Sequence, residues 1–223
     1  MSGLISLGRV IPTDSKGVFI TLFFAIFSTI TGVGIVVPLL PVYANDLGAS
    51  GIYIGMIFGS FSISRTFLLP YFGRLSDVRG RKPFIVAGLL VYSLISIAFI
   101  FSDSIESLIL LRFVQGAGSA MIMPVVQAYV GEITTPGSES YSMGLFNLSM
   151  FLSLSLGPMM GGGIKEIFSL DAAFVCMGGL SGIGLLLCIF LLPPADRETV
   201  KIRSQATSTW SELLKDPDLI SIF

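Results

Sequence analysis

Residues 73–83 read GRLSDVRGRKP, four cations and one carboxylate packed into eleven residues of a chain that is 53% hydrophobic and only 12% charged. What lies on either side of that segment decides the fold. Uncharged stretches cover Gly17–Asn45, Pro83–Ser102, Ser140–Ile164 and Ala172–Ala195. Two more, Ala49–Gly73 and Ser107–Gly131, are each interrupted by one arginine, Arg65 and Arg112. A helix of about 20 apolar residues crosses a bilayer core, and all six runs reach that length. The sequence therefore predicts an all-α membrane protein with helices at 17–44, 51–72, 83–102, 107–130, 141–165 and 171–193. A soluble domain carries about 25% charged residues, which this composition excludes. The first run is also far longer than the roughly 7–15 apolar residues of a secretory signal.

The cations are distributed unevenly between the two ends of these helices. Arg9, Lys16, Arg74, Arg79, Arg81, Lys82, Arg197, Lys201, Arg203 and Lys215 fall on one side, and Lys165 alone on the other. Lys and Arg mark cytoplasmic loops, so both ends and the 73–83 segment are expected in the cytoplasm. The chain then divides into a tail (1–16), a six-helix bundle (17–193), a charged cytoplasmic loop (194–217) and a final apolar rise, 218–223. The last reads as the start of a seventh helix cut short. Within 194–217, the Trp210–Leu213–Leu214 spacing fits either a surface amphipathic helix or a plain solvated linker.

Topology accounts for the positive charge of 73–83, but not for Asp77 or for the glycines around it. Three other patterns carry chemistry. In RFVQGAGSAMIMPVVQ, residues 112–127, Arg112, Gln115, Gly116, Ser119, Met123 and Gln127 share one helix face. Such a stripe faces protein or a water-filled cavity, although Arg112 is near enough to the outer end to snorkel. Arg65 is buried more deeply in its span. An arginine there costs about 2.5–3.5 kcal/mol on insertion scales, so it is either functional or a structural residue bonded to neighbouring carbonyls. In the fifth span Ser149, Ser153, Gly157 and Gly161 recur every fourth residue, a spacing that lets helix backbones meet, while Pro158 bends the helix. The spans contain no Asp or Glu, and the chain has no His. Cys176 and Cys188 lie too far apart on one helix for a disulfide. Enzyme chemistry, a metal, a cofactor and nucleic acid are therefore not expected.

These motifs together resemble the major facilitator superfamily, in the amino-terminal half of its fold. Gly73, Asp77, Gly80, Arg81 and Lys82 fill the places of its loop between helices two and three, with Val78 where a cation usually follows the acid. Arg112, Gln115 and Gly116 resemble its Arg-x-x-Gln-Gly motif. Gly157, Pro158, Gly161 and Gly162 resemble its antiporter-type Gly-Pro-x-x-Gly-Gly signature, with Ser153 where a further glycine is frequent. GIVVPLLP, residues 34–41, is similar to the drug-efflux branch.

The resemblance implies two inverted three-helix repeats forming half of a twelve-helix carrier. It also implies a charge cluster in which Asp77 pairs with Arg81 and clamps the two halves, with the glycines permitting the turn. Arg112, with Gln115 and Gly116, is implied to line the cavity and help couple proton movement, and helix five to contact the other half; Arg65 joins that site on its position in the second span. The expected function is proton-coupled efflux of small organic molecules across the cell membrane. Its partners would be the lipid bilayer, the substrate, protons, and a carboxy-terminal half or second half-chain. An importer of sugars or organic acids, or a non-transporting scaffold, are the alternatives. Arg65 and Arg112, the only embedded charges, favour amphiphilic, neutral or anionic substrates.

Overall fold

Pro38 has no N–H to donate, and its ring clashes with the preceding helical turn. The first span is accordingly built in two pieces, α1 (Lys16–Val36) and α2 (Leu40–Asp46), with a turn at 37–39 between them. The computed structural model describes residues 11–12 and 15–193. The expected loop at 194–217, its Trp210 segment and the rise at 218–223 lie outside the described residues. The other spans are α3 (Gly51–Arg79), α4 (Arg81–Ile100), α5 (Ile105–Ile133), α6 (Glu139–Ile167) and α7 (Leu170–Leu191). With α1 and α2 counted together, six segments are long and apolar enough to cross a membrane. Ser104 and Ser169 cap α5 and α7 by accepting from the N–H groups of Ser107 and Ala172.

The helices do not pack chiefly in chain order. The main contacts are α3 with α5, α1 with α6, α1 with α7, α4 with α5, and α4 with α7. Exchanging spans one to three for spans four to six maps this set onto itself: α3–α5 becomes α6–α1, α4–α5 becomes α7–α1, and α4–α7 is unchanged. The expected pair of three-helix repeats is therefore present in the packing. Because three spans separate equivalent helices, equivalent chains run in opposite directions through the membrane.

A Gly-x-Gly pair in each repeat makes these contacts. Lipid tails are as apolar as leucine, so helices in a bilayer associate through close packing rather than hydrophobic exclusion. In α1, a Cβ on Gly34 would meet Gly157 of α6 at 3.2 Å, and one on Gly32 would meet the Met177 backbone of α7 at 3.1 Å. In α5, a Cβ on Gly116 would lie 2.4 Å from the Phe61 carbonyl of α3, and one on Gly118 would lie 3.0 Å from Val91 of α4. Each Gly-x-Gly thus serves one partner helix with each glycine. Two serines repeat the same logic: Ser60 Oγ donates to the Ile109 carbonyl at 3.1 Å, and Ser153 Oγ to the Phe27 carbonyl at 2.9 Å.

The every-fourth-residue stripe of the fifth span is the α1-facing surface of α6, and Ser149, Ser153, Gly157 and Gly161 are all buried. A Cβ on Gly161 would stand 2.4 Å from the Ile35 carbonyl, whereas one on Gly162 meets nothing within 4 Å. Alanine normally favours a helix over glycine by about 1 kcal/mol. Gly162→Ala is thus expected to keep or raise the unfolding temperature in detergent, and Gly161→Ala to lower it. Equal effects of the two would contradict this packing.

Candidate functional site

Helix α3 does not stop at 72. It continues through Arg79, and α4 begins at Arg81, so the expected loop shrinks to the single residue Gly80. Gly80 has φ +92°, a backbone state that side chains disfavour. Gly73 is inside α3 with open space where a Cβ would be, which corrects the expectation that both glycines shape the turn. Only Gly80 does so. The helix persists because nothing in RLSDVR breaks it and because its last turn finds partners on other elements.

Those partners converge on Arg81, whose side chain is only 10% exposed. Its guanidinium pairs with Asp77 across the break. It also donates to Glu132 Oε1, at the end of α5, from Nη2 at 2.8 Å and from Nε at 3.1 Å. The remaining nitrogen, Nη1, donates to Ser76 Oγ at 2.6 Å, and Ser76 Oγ in turn donates to the Gly73 carbonyl at 2.7 Å. One side chain therefore joins the end of α3, the start of α4 and the end of α5 by charge-assisted bonds. Lys82 turns the other way. Its Nζ donates to the carbonyls of Ile189, at 2.8 Å, and Leu192, in the last turn of α7. A cation there satisfies orphan carbonyls and opposes the negative end of the helix dipole.

A second feature lies at mid-height. A cavity of about 240 Å³, open on one side, is lined by residues of α1, α3, α4, α5 and α6. Its polar lining consists of Arg65, Tyr92, Ser119 and Thr29, and the rest is apolar, with Met123 and Met150 among it. Arg65 is the midpoint of α3 (51–79) and Ser119 the midpoint of α5 (105–133). The longer α3 places Arg65 deeper than a span ending at 72 implies.

Arg112 takes a different position from the one its stripe suggests. It is 3% exposed and is not among the residues lining the cavity. Its guanidinium sits 4.6 Å from the Phe61 ring centre and 5.1 Å from that of Phe58, within cation–π range. Nη1 donates to Gln115 Oε1 at 2.7 Å, while Nε has no hydrogen-bond partner among the described residues. Gln115 reaches on to Met177 Sδ at 3.9 Å. The stripe on α5 is thus divided: Arg112, Gln115 and Gly116 are packed against neighbours, and Ser119 and Met123 reach the cavity. Phe61 is the partition, touching Arg112 and lining the cavity as well.

The helix-five signature divides in the same way. Gly157 and Gly161 close the contact with α1, while Pro158 and Gly162 are on the exposed face with Met159 and Phe151. The glycines thus serve this half of the fold internally, and only Pro158 and Gly162 are available to another half. Sequence reasoning missed Ser76, Glu132, Tyr92 and Met150. Of these only Glu132 carried a signal, as an acid at the cation-rich end of the bundle. No group of acids and cysteines suited to a metal ion occurs among the described residues.

A multi-span helical bundle with two inverted repeats, a charged helix junction at one end and a mid-height cavity has the build of a membrane carrier half. The chain belongs to the Major Facilitator Superfamily, whose family model matches residues 22–223. Members of this family are transporters rather than enzymes. Relatives include the "Uncharacterized MFS-type transporter MJ1560" of Methanocaldococcus jannaschii, 30% identical over 93% of this chain and 55% of that protein. Quinolone resistance protein NorA of Staphylococcus aureus is 30% identical, with 83% of this chain and 47% of that protein covered. Multidrug resistance protein 2 of Bacillus subtilis is 31% identical over 80% of this chain and 44% of its own length. The chain spans about half the length of these relatives. The crystal structure of the human organic anion transporter MFSD10 (TETRAN) has the same fold, with a TM-score of 0.67 at 21% identity over 80% of this chain and 48% of that one.

The Arg81 junction generates a quantitative expectation. In a double-mutant cycle, Arg81→Ala and Glu132→Ala should be non-additive in unfolding free energy by roughly 1 kcal/mol. Strict additivity would mean that the contact contributes nothing.

Proposed function

We propose that this chain is the amino-terminal half of a secondary active transporter that moves small organic molecules by alternating access, in the direction of proton-coupled efflux. The observation that carries the proposal is the mid-height cavity with Arg65 in its wall. Intramembrane ionisable residues mark substrate or ion pathways, and carriers bind near the bilayer midplane between their repeats. A volume of about 240 Å³ is less than the ~300–1,000 Å³ of a complete ligand pocket. That suits a site whose remaining walls come from a second half.

The same reading gives roles to the other residues. Helices α3 and α6 are the least covered of the spans and expose Phe67, Tyr71, Phe151 and Met159, so they are the faces offered to that second half. The junction of Asp77, Gly80, Arg81 and Lys82 is the cytoplasmic clamp. It links α3, α4, α5 and α7 so that the half moves as one body, and Asp77 remains free on one side, at 34% exposure, to meet a helix amino end across the interface. Arg112 and Gln115 act on proton coupling through Phe61 rather than from the cavity surface. With the cation-rich end inside, both ends of the chain face the cytoplasm of a cell membrane. The direction rests on the Gly157-Pro158-x-x-Gly161-Gly162 signature and on the similarity to relatives named for drug resistance.

Transport by the protein as its cell makes it tests this reading. Everted membrane vesicles energised by respiration should accumulate a fluorescent amphiphile, and a protonophore should release it. Asp77→Asn should slow that uptake by roughly tenfold or more while leaving amphiphile binding intact, the pattern of a lost conformational step. Vesicles that accumulate nothing, or that accumulate it without regard to the proton gradient, would contradict the proposal.

A further inference from the structure

The charges around the cavity are of one sign. Every Asp and Glu within residues 15–193 lies in a helix's terminal turns or in a connection: Asp46, Asp77, Asp103, Glu106, Glu132, Glu139, Glu166 and Asp171. None of these lines the cavity, and among the described residues no carboxylate pairs with Arg65. Arg65, half-buried at the midpoint of its helix, lines this space together with Tyr92 and Ser119, which carry hydroxyl groups. Arg112, a second cation without a carboxylate partner among the described residues, stands behind Phe61 and adds to the same positive field.

We infer that the cavity selects amphiphilic organic anions, holding a carboxylate or sulfonate on Arg65 and the apolar body against Ile122, Met123, Met150 and Leu154. This rests on the transporter reading above and names its substrate class. A cation held in low dielectric without a counter-ion is unfavourable, and an entering anion supplies what is missing. An organic cation would instead add like-charge repulsion that the low dielectric amplifies. A guanidinium presents paired donors that match a planar carboxylate or a sulfonate face. Tyr92 and Ser119, in the same lining, carry further hydroxyl groups that can donate to an anion. The body site is permissive because thioether side chains adapt to shape. Thr29 is excluded from recognition, since its hydroxyl already donates to the Ala25 carbonyl at 2.7 Å.

Two fluorescent probes with the same aromatic body separate charge from shape: anilinonaphthalene sulfonate, an anion, and phenylnaphthylamine, its neutral counterpart. Binding is measured on the protein as its cell makes it, reconstituted in neutral-lipid nanodiscs. Arg65→Gln is expected to weaken the anion by roughly tenfold or more, the loss typical of a hydrogen bond to a charged group, and to change the neutral probe by less than about twofold. Arg65→Lys should restore most of the anion binding. Met150→Glu, which leaves Arg65 in place but introduces a counter-ion across the cavity, should also weaken the anion selectively, which covers the case in which Arg65 is needed for folding.

Equal weakening of both probes in Arg65→Gln, or no effect on either, would overturn the inference. The second result is what a carboxylate from the other half, pairing with Arg65, would produce. Vesicle transport separates this from the broader reading. If the anion-selective binding holds but neither probe crosses the membrane in energised vesicles, the transport proposal fails and the anion site stands.

Discussion

The bundle depends on backbones touching backbones. In a bilayer the usual driving force for burying apolar surface is absent between helices, so contact must come from close approach. The two Gly-x-Gly sequences, Gly32–Gly34 on α1 and Gly116–Gly118 on α5, place α1 and α5 at the centre with two partners each. Everything else follows from their being spent in this way. Once α1 is locked to α6 and α7, and α5 to α3 and α4, the space between the two groups is left for larger side chains that do not fill it. Arg65, Tyr92, Met123 and Met150 line what remains.

The charged junction acts on this arrangement from one end. Gly80 turns the chain in a single residue, so Arg81 falls beside Asp77 and within reach of Glu132. Lys82 binds the carbonyl end of α7. Four helices are thus fastened at one end by two adjacent cations, while the opposite end combines apolar packing, such as the stacked Phe99 and Phe174 rings 5.2 Å apart, with a hydrogen bond from the Tyr43 hydroxyl to the Ser102 carbonyl. Helices fastened to one another in this way suit the proposal that the half tilts as a body. That is the property a rocking carrier requires.

Much of this was legible in the residues. The six spans, the small-residue stripe of α6 and the Asp77–Arg81 pair follow from hydropathy, fourfold spacing and the loop motif. The end of α3 was not, because helices whose last turn is charged look like loops to a hydropathy reading. The break at Pro38 was hidden for the opposite reason: its neighbours are all apolar, so length suggested one helix. The roles of the two arginines were also not separable from spacing. Arg112 shares its face with Ser119 and Met123, and only the presence of Phe58 and Phe61 on a different helix shows that it is covered while Arg65 is not. Tyr92 gave no signal, since a lone tyrosine in an apolar span is ordinary core until its neighbours are known.

The most direct test of the account is whether the cavity opens to both sides of the membrane. Met123→Cys, in a background in which every other cysteine, Cys176 and Cys188 among them, is replaced by alanine, puts a single thiol on the cavity wall of the protein as its cell makes it. An impermeant maleimide is then applied to sealed right-side-out and everted vesicles. Alternating access predicts labelling from each face, with a transported amphiphile shifting the ratio between the two rates. Labelling from one face alone under every condition would mean that the cavity is a fixed pocket and that the halves do not rock around it.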